Sequence, residues 1–203
     1  MRHRNRAVTR KDYELLVLEL FPEIEMAQCF TIPKKNNNAL PLVCIVVFSR
    51  QEDSEYYLSS AWKLSEMEQT LKQYTPASVQ LQVTNPQYEK VIVKCRAALH
   101  NHVEDKGKVL ANLTTIIENY FVLWQIRDEF PMPGQTYSFK ELYSRIVNHE
   151  DLQNIESLEV NGRQYNENSD IGEEDDIIGG QEAWSVLLPE IEIELIEPNR
   201  VAE

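Results

Sequence analysis

The residues best suited to chemistry are His100 and His102, two positions apart and followed by Glu104 and Asp105. On a strand, side chains at i and i+2 share a face and could present two imidazoles to a metal ion. No third ligand follows at a recognised spacing, and His-Asn-His as adjacent letters is not the dispersed set of a nuclease site, so a polar turn is expected. His102 with Glu104 and His149 with Glu150 are the acid–base pairs on offer, each needing folding to assemble a site around it. Glu173, Glu174, Asp175 and Asp176 supply oxygen ligands of the kind calcium takes, without the alternating ligands and central glycine of an EF-hand loop. No glycine-rich phosphate loop, nucleophile elbow or zinc-protease helix occurs, and the reading is a non-enzyme with no catalytic residue, cofactor or metal.

Trp62, Trp124 and Trp184 have the flat apolar surface of a ligand platform. Trp124 falls on the apolar stripe of a helix and Trp184 opens a strand, so packing roles are expected. Cys29, Cys44 and Cys95 form an odd, widely spaced set in strand-like surroundings, which suits buried free thiols in a reducing compartment. Asn112-Leu113-Thr114 matches a glycosylation acceptor but lies in a helical pattern, and no secretory signal is read at the start; it is discounted.

A chain of 203 residues suits one large domain or two small lobes, with 42% hydrophobic content enough for a true core. No apolar run approaches the roughly 20 residues that span a bilayer, and a cytoplasmic protein without membrane insertion is expected. The net charge of −13 disfavours nucleic acid and anionic membranes as partners, since both are polyanions. The charge is also polarised. Arg2, Arg4, Arg6, Arg10 and Lys11 precede the first acid, whereas Glu167, Asp170, Glu173, Glu174, Asp175 and Asp176 cluster far along the chain. Such polarity suits contact between an arm and a neighbouring subunit, with Arg2, Arg4, Arg6, Arg10, Lys11, Glu173, Glu174, Asp175 and Asp176 as candidate interface residues; a solvated acidic loop is the plainer alternative.

The elements that would position these residues follow from periodicity. Thr9 and Asp12 form a shortened version of a capping box ahead of a helix carrying Tyr13, Leu16, Val17 and Leu20, with Val8 and Tyr13 as its staple. Ala27 to Ile32 and Leu42 to Phe48 read as a hairpin with a long loop, the second run covered on both faces. Leu64, Met67, Leu71 and Tyr74 give a second helix, and two alternating strands, Val79 to Thr84 and Val91 to Leu99, flank the Asn85-Pro86 turn. Leu110, Leu113, Ile117, Tyr120 and Trp124 line a long helix, and Pro131-Met132-Pro133-Gly134 forms a rigid connector. Ser138 and Glu141 make a second capping box, with Tyr137 and Leu142 as staple. Ile155 to Val160 and Arg163 to Tyr165 flank the tight turn Asn161-Gly162, and a closing strand alternates Ile191, Ile193 and Leu195 with Glu190, Glu192 and Glu194. The fold class is α+β in two lobes. Residues 1–100 form an α-β-β-α-β-β lobe with a basic arm at 1–8, its helices on a mixed or antiparallel sheet. Residues 105–203 form a helix-hairpin lobe with a closing strand and an acidic loop at 167–180.

The opening string His3 to Glu14, then Phe21-Pro22-Glu23-Ile24, resembles the start of the C-terminal region of baseplate J-like proteins, wedge components of contractile phage tails and related injection systems. Asn85 to Val93 is similar to that family's extended "P-x-Y-x-x-V-x-V" segment. A long helix ending near Trp124, a proline and glycine connector, a tyrosine-bearing helix and a strand follow in the family's order. The resemblance implies a structural subunit that assembles with other wedge proteins, hub or spike and sheath-associated proteins in a hetero- or homo-oligomeric ring. An acidic adaptor or chaperone holding a single client is the alternative.

Overall fold

The computed structural model describes residues 6–32, 40–49, 56–165 and 176–196. Among these the chain is α+β and divides into two compact units, one of residues 1–87 with 182–184, the other of residues 88–181 with 185–203.

In the first unit, α1 (Arg10–Leu20) precedes β1 (Met26–Ile32) and β2 (Leu42–Phe48), which pair antiparallel with Met26 opposite Phe48 and Ile32 opposite Leu42. The helix α2 (Ala61–Lys72) then carries the chain back so that β3 (Gln80–Thr84) lies parallel to β2. The sheet β1-β2-β3 is therefore mixed. Tyr13 and Val17 of α1 and Met67 and Leu71 of α2 share one core with Val43, Ile45 and Val47 of β2. The alternate residues Cys44, Val46 and Phe48 are fully buried as well, so β2 is covered on both faces, as its unbroken apolar run implies. Tyr57 packs edge-on against Phe48, and Trp184 lies 6.4 Å from the Phe30 ring.

The second unit contains β4 (Gln87–Leu99, from Tyr88 onward), α3 (Lys106–Phe121), the single turn α4 (Leu123–Ile126), β5 (Tyr137–Ser138), α5 (Phe139–Val147), β6 (Leu152–Val160), β7 (Arg163–Gln164), β8 (Ile177–Ile178) and β9 (Ser185–Ile196). Its main sheet has the order β7-β6-β4-β9, with β5 and β8 forming a separate antiparallel pair. Val109, Leu113, Ile117, Tyr120 and Phe121 form the buried stripe of α3, which packs on β9 and α5. Between β6 and β7, Asn161 and Gly162 have φ of 51° and 79°, the left-handed pair that a two-residue hairpin turn requires. Asn161 also extends the sheet: its N–H donates to Ile92 O at 2.9 Å and its Oδ1 accepts from Ile92 N–H at 2.8 Å.

Two expectations are corrected. The division along the chain falls at Gln87/Tyr88, not at 100–105, because β4 pairs with β6 and β9 and not with the first sheet. At that turn the Asn85 side chain accepts from Ser59 N–H at 2.7 Å and donates to Ser59 O at 2.9 Å. Leu110, expected on the buried stripe of α3, is 41% exposed, and Val109 takes its place.

Candidate assembly surfaces

The basic arm enters the fold through a capping box. Thr9 Oγ1 accepts from Asp12 N–H at 3.2 Å, and Asp12 Oδ2 accepts from Thr9 N–H at 2.8 Å and Val8 N–H at 3.0 Å. The expected Val8–Tyr13 staple does not form: Val8 is exposed and Ala7 is buried, its N–H donating to Tyr74 O at 3.0 Å. That bond fixes where the arm leaves the first unit. Arg6, Arg10 and Lys11 are exposed, and Lys11 reaches Glu14 at 3.5 Å, a long contact with a carboxylate that also accepts from Cys29 N–H at 3.1 Å. Arg2 and Arg4 lie outside the described residues.

Of the acidic cluster, Glu173, Glu174 and Asp175 also lie outside the described residues. Asp176 is docked at the start of α5. Its Oδ1 accepts from Lys140 N–H and its Oδ2 from Ser138 Oγ–H, both at 2.7 Å, while its carbonyl accepts from Phe139 N–H at 2.8 Å. A carboxylate is favoured there because the first N–H groups of a helix lack intrahelical acceptors. Asp176 therefore acts as a helix cap in the second unit, whereas the arm belongs to the first.

The same capping differs from the expected box. Ser138 Oγ accepts from Glu141 N–H at 3.0 Å, but Ser138 N–H donates to Tyr120 Oη at 2.9 Å, and the Glu141 carboxylate turns to Arg145 at 2.8 Å. Ser138→Ala removes a cap acceptor and the donor to Asp176, and is expected to destabilise the chain by about 1–2 kcal/mol in urea unfolding. An unchanged midpoint would show that Asp176 alone suffices as the cap.

A concavity of about 590 Å³ adjoins this cap, lined by Trp124, Phe130, Met132, Tyr137 and Arg145 among others. Tyr120 Oη–H donates to Ser138 O at 2.8 Å and Tyr137 Oη–H to Phe121 O at 2.9 Å. Burial pushes both phenols up to about 12. Because these values lie above the usual 10, the stability they contribute is whole below pH 10 and is lost as pH rises towards 12. Ionisation would also turn each donor into an oxyanion facing a carbonyl. The tyrosinate absorbance lost in the Tyr120→Phe and Tyr137→Phe variants is expected to come from that interval, where unfolding also sets in; a loss centred near pH 10 in a folded chain would contradict this.

The His100 and His102 rings stack at 5.3 Å, and among the described residues no group of three or more His, Cys, Asp or Glu side chains is placed to hold a metal ion. His149 Nδ1 accepts from Asp151 N–H at 3.3 Å within its own turn. Cys29, Cys44 and Cys95 are buried free thiols, pushed up by burial to about 12, 11 and 11. Trp124 is buried as expected, whereas Trp62 is 72% exposed at the start of α2, so its expected packing role does not hold.

One feature escaped the sequence reading. Lys90 pairs with Glu190 and Lys94 with Glu192, both at 3.0 Å, and Arg96 lies 3.4 Å from Glu194 and 3.5 Å from Glu156. The partners ascend together along β4 and β9, so the two strands run in the same direction. The glutamates of this row were legible as one side of an alternating strand. Their pairing with the cations of β4 was not, because it depends on a connection of about a hundred residues.

With these elements in place, the architecture can be set beside known structures. The fold is one found in a baseplate. The chain is similar to a chain in the cryo-EM structure of the anti-feeding prophage (AFP) baseplate, six-fold symmetrised, with a TM-score of 0.57 and 18% identity. The likeness covers 93% of this chain and 38% of that one, so this chain spans well under half the length of its AFP counterpart. No family model matches the sequence, and no curated protein matches it. The AFP likeness agrees with the sequence resemblance at the level of a baseplate-type fold.

Proposed function

We propose that this chain is a structural subunit of the baseplate of a contractile injection apparatus, specifically a wedge component. The observation that carries the reading is the AFP likeness extending over 93% of the chain, through both units. The ordered sequence segments resembling baseplate J-like proteins support the same reading independently of the fold comparison.

The role is assembly and not catalysis. Partners are other wedge proteins, hub or spike proteins and sheath-associated proteins, and the site of assembly is the cytoplasm. No helix among the described residues is long and apolar enough to cross a membrane. Modest interfaces suffice for such a subunit, because ring symmetry repeats each contact. The test is to mix the purified chain with the co-encoded sheath, hub and wedge proteins. A stable complex that incorporates into baseplate particles is expected; recovery only as a one-to-one complex with a soluble client would replace this reading with that of an adaptor.

A further inference from the structure

We propose that the outer edge of β9 receives the basic arm of a second copy of this chain as an added strand, with Arg2, Arg4 and Arg6 beside Glu190, Glu192 and Glu194. The inference deepens the assembly reading and rests on it for closure into a ring.

The receiving edge is visible in the fold. β9 ends the order β7-β6-β4-β9, and among the described residues β4 is its one strand neighbour. An end strand presents backbone N–H and C=O groups that a further strand can pair. Pro189 within β9 fits that position, since a residue without an N–H is tolerated at an edge and not inside a sheet.

Charge selects the occupant. Glu190, Glu192 and Glu194 have side chains 51%, 59% and 67% exposed, with the cations of β4 on their inner flank. Two β9 edges brought together would oppose glutamate with glutamate, which is destabilising. A strand with cations at every second position would instead continue the alternation already built between β4 and β9. Arg2, Arg4 and Arg6 have that period, separated by His3 and Asn5. In extended backbone their spacing equals that of the three glutamates. Both triplets are symmetric about their middle members, Arg4 and Glu192, so the match holds whether the added strand runs parallel or antiparallel.

Reach limits the geometry. The arm is tied to the first unit at Ala7, and six residues extend at most roughly 20 Å beyond it. The receiving β9 must therefore lie beside the start of the donor's α1. Such a contact joins two different surfaces head to tail, the kind that closes into a ring or grows as a filament. A six-residue strand is a small interface, so a single contact is weak and repetition supplies the strength.

Hydrogen exchange of the full chain, followed at low and high protein concentration beside sedimentation equilibrium, tests the proposal. Amides between Ile191 and Leu195 are expected to gain protection as the chain self-associates, and added salt should reverse the effect. The triple variants Arg2→Ala/Arg4→Ala/Arg6→Ala and Glu190→Gln/Glu192→Gln/Glu194→Gln, checked for folding by circular dichroism, should each weaken self-association on the order of tenfold to hundredfold, as expected for three exposed ion pairs. A chain that stays monomeric, association that survives the arm substitutions, or arm-dependent protection that does not vary with concentration would each overturn it. If the arm variant self-associates normally and still enters baseplate particles, the assembly reading stands and this proposal alone falls. Arm-dependent association of a chain never recovered with baseplate proteins would leave the strand contact and remove the assembly reading.

Discussion

Phe121→Ala is expected to destabilise the second unit by about 3–5 kcal/mol, the range for emptying a buried phenylalanine site. Phe121 closes α3 and is 1% exposed. Its ring centre lies 5.2 Å from that of Tyr120 and 4.9 Å from that of Tyr137, and its carbonyl accepts the Tyr137 hydroxyl. Truncation keeps that carbonyl but removes the surface on which both tyrosines rest, so a void and a weakened hydrogen bond arise together. Phe121→Leu retains most of the volume and should cost less than about 1.5 kcal/mol. The check is hydrogen exchange along α3 with urea unfolding of both variants. Equal, small effects would mean that the aromatic cluster collapses over the gap.

This region also shows what sequence could and could not reveal. The start of α5 was legible because Ser138 and Glu141 sit at cap spacing, a relation within one turn. The partners that complete the cap, Tyr120 and Asp176, come from 18 and 38 residues away, and nothing local points to them. Asp176 was read with its acidic neighbours as part of a loop, and the two-residue β8 behind it is too short to show alternation. The arm gave a similar mixed result. Its capping box was legible from Thr9 and Asp12, but whether Val8 or Ala7 turns inward depends on the carbonyl of Tyr74, which only tertiary structure brings near.

Sheet membership was the larger loss. Alternation identified β3 and β4 as strands and Asn85-Pro86 as the turn between them, yet alternation does not say which strands pair. The hairpin is the default for consecutive strands, and here Asn85 spends its side chain on the Ser59 backbone while β4 joins another sheet. The unit boundary moved with it. Charge patterning carried more than it first showed: the glutamates that alternate along β9 meet the cations of β4, and together they form the row on which the proposed arm contact depends.

Gly180→Ala is the second large effect expected, about 1–3 kcal/mol from overpacking. A Cβ at this position would overlap the Ser185 side chain, lying 2.6 Å from Oγ, and would crowd Glu89 Oε2 at 3.3 Å. Ser185 is 2% exposed and donates to Glu89, whose carboxylate also accepts from Gln181 N–H at 2.9 Å and 3.2 Å. The neighbour therefore has no open space to move into without breaking these bonds. Gly180 lacks a positive φ, so the penalty is steric and not one of backbone strain. Relief by detachment would release residues 176–181, freeing Asp176 from Ser138 and Lys140 and Ile177 O from its Arg163 contact at 2.8 Å. Faster exchange at the Lys140 amide would report that route directly. Removing the clashing Cβ with Ser185→Gly should recover part of the loss in the double variant, although glycine in β9 carries its own penalty. Strictly additive losses would show that Gly180 is required for something other than its close approach to Ser185.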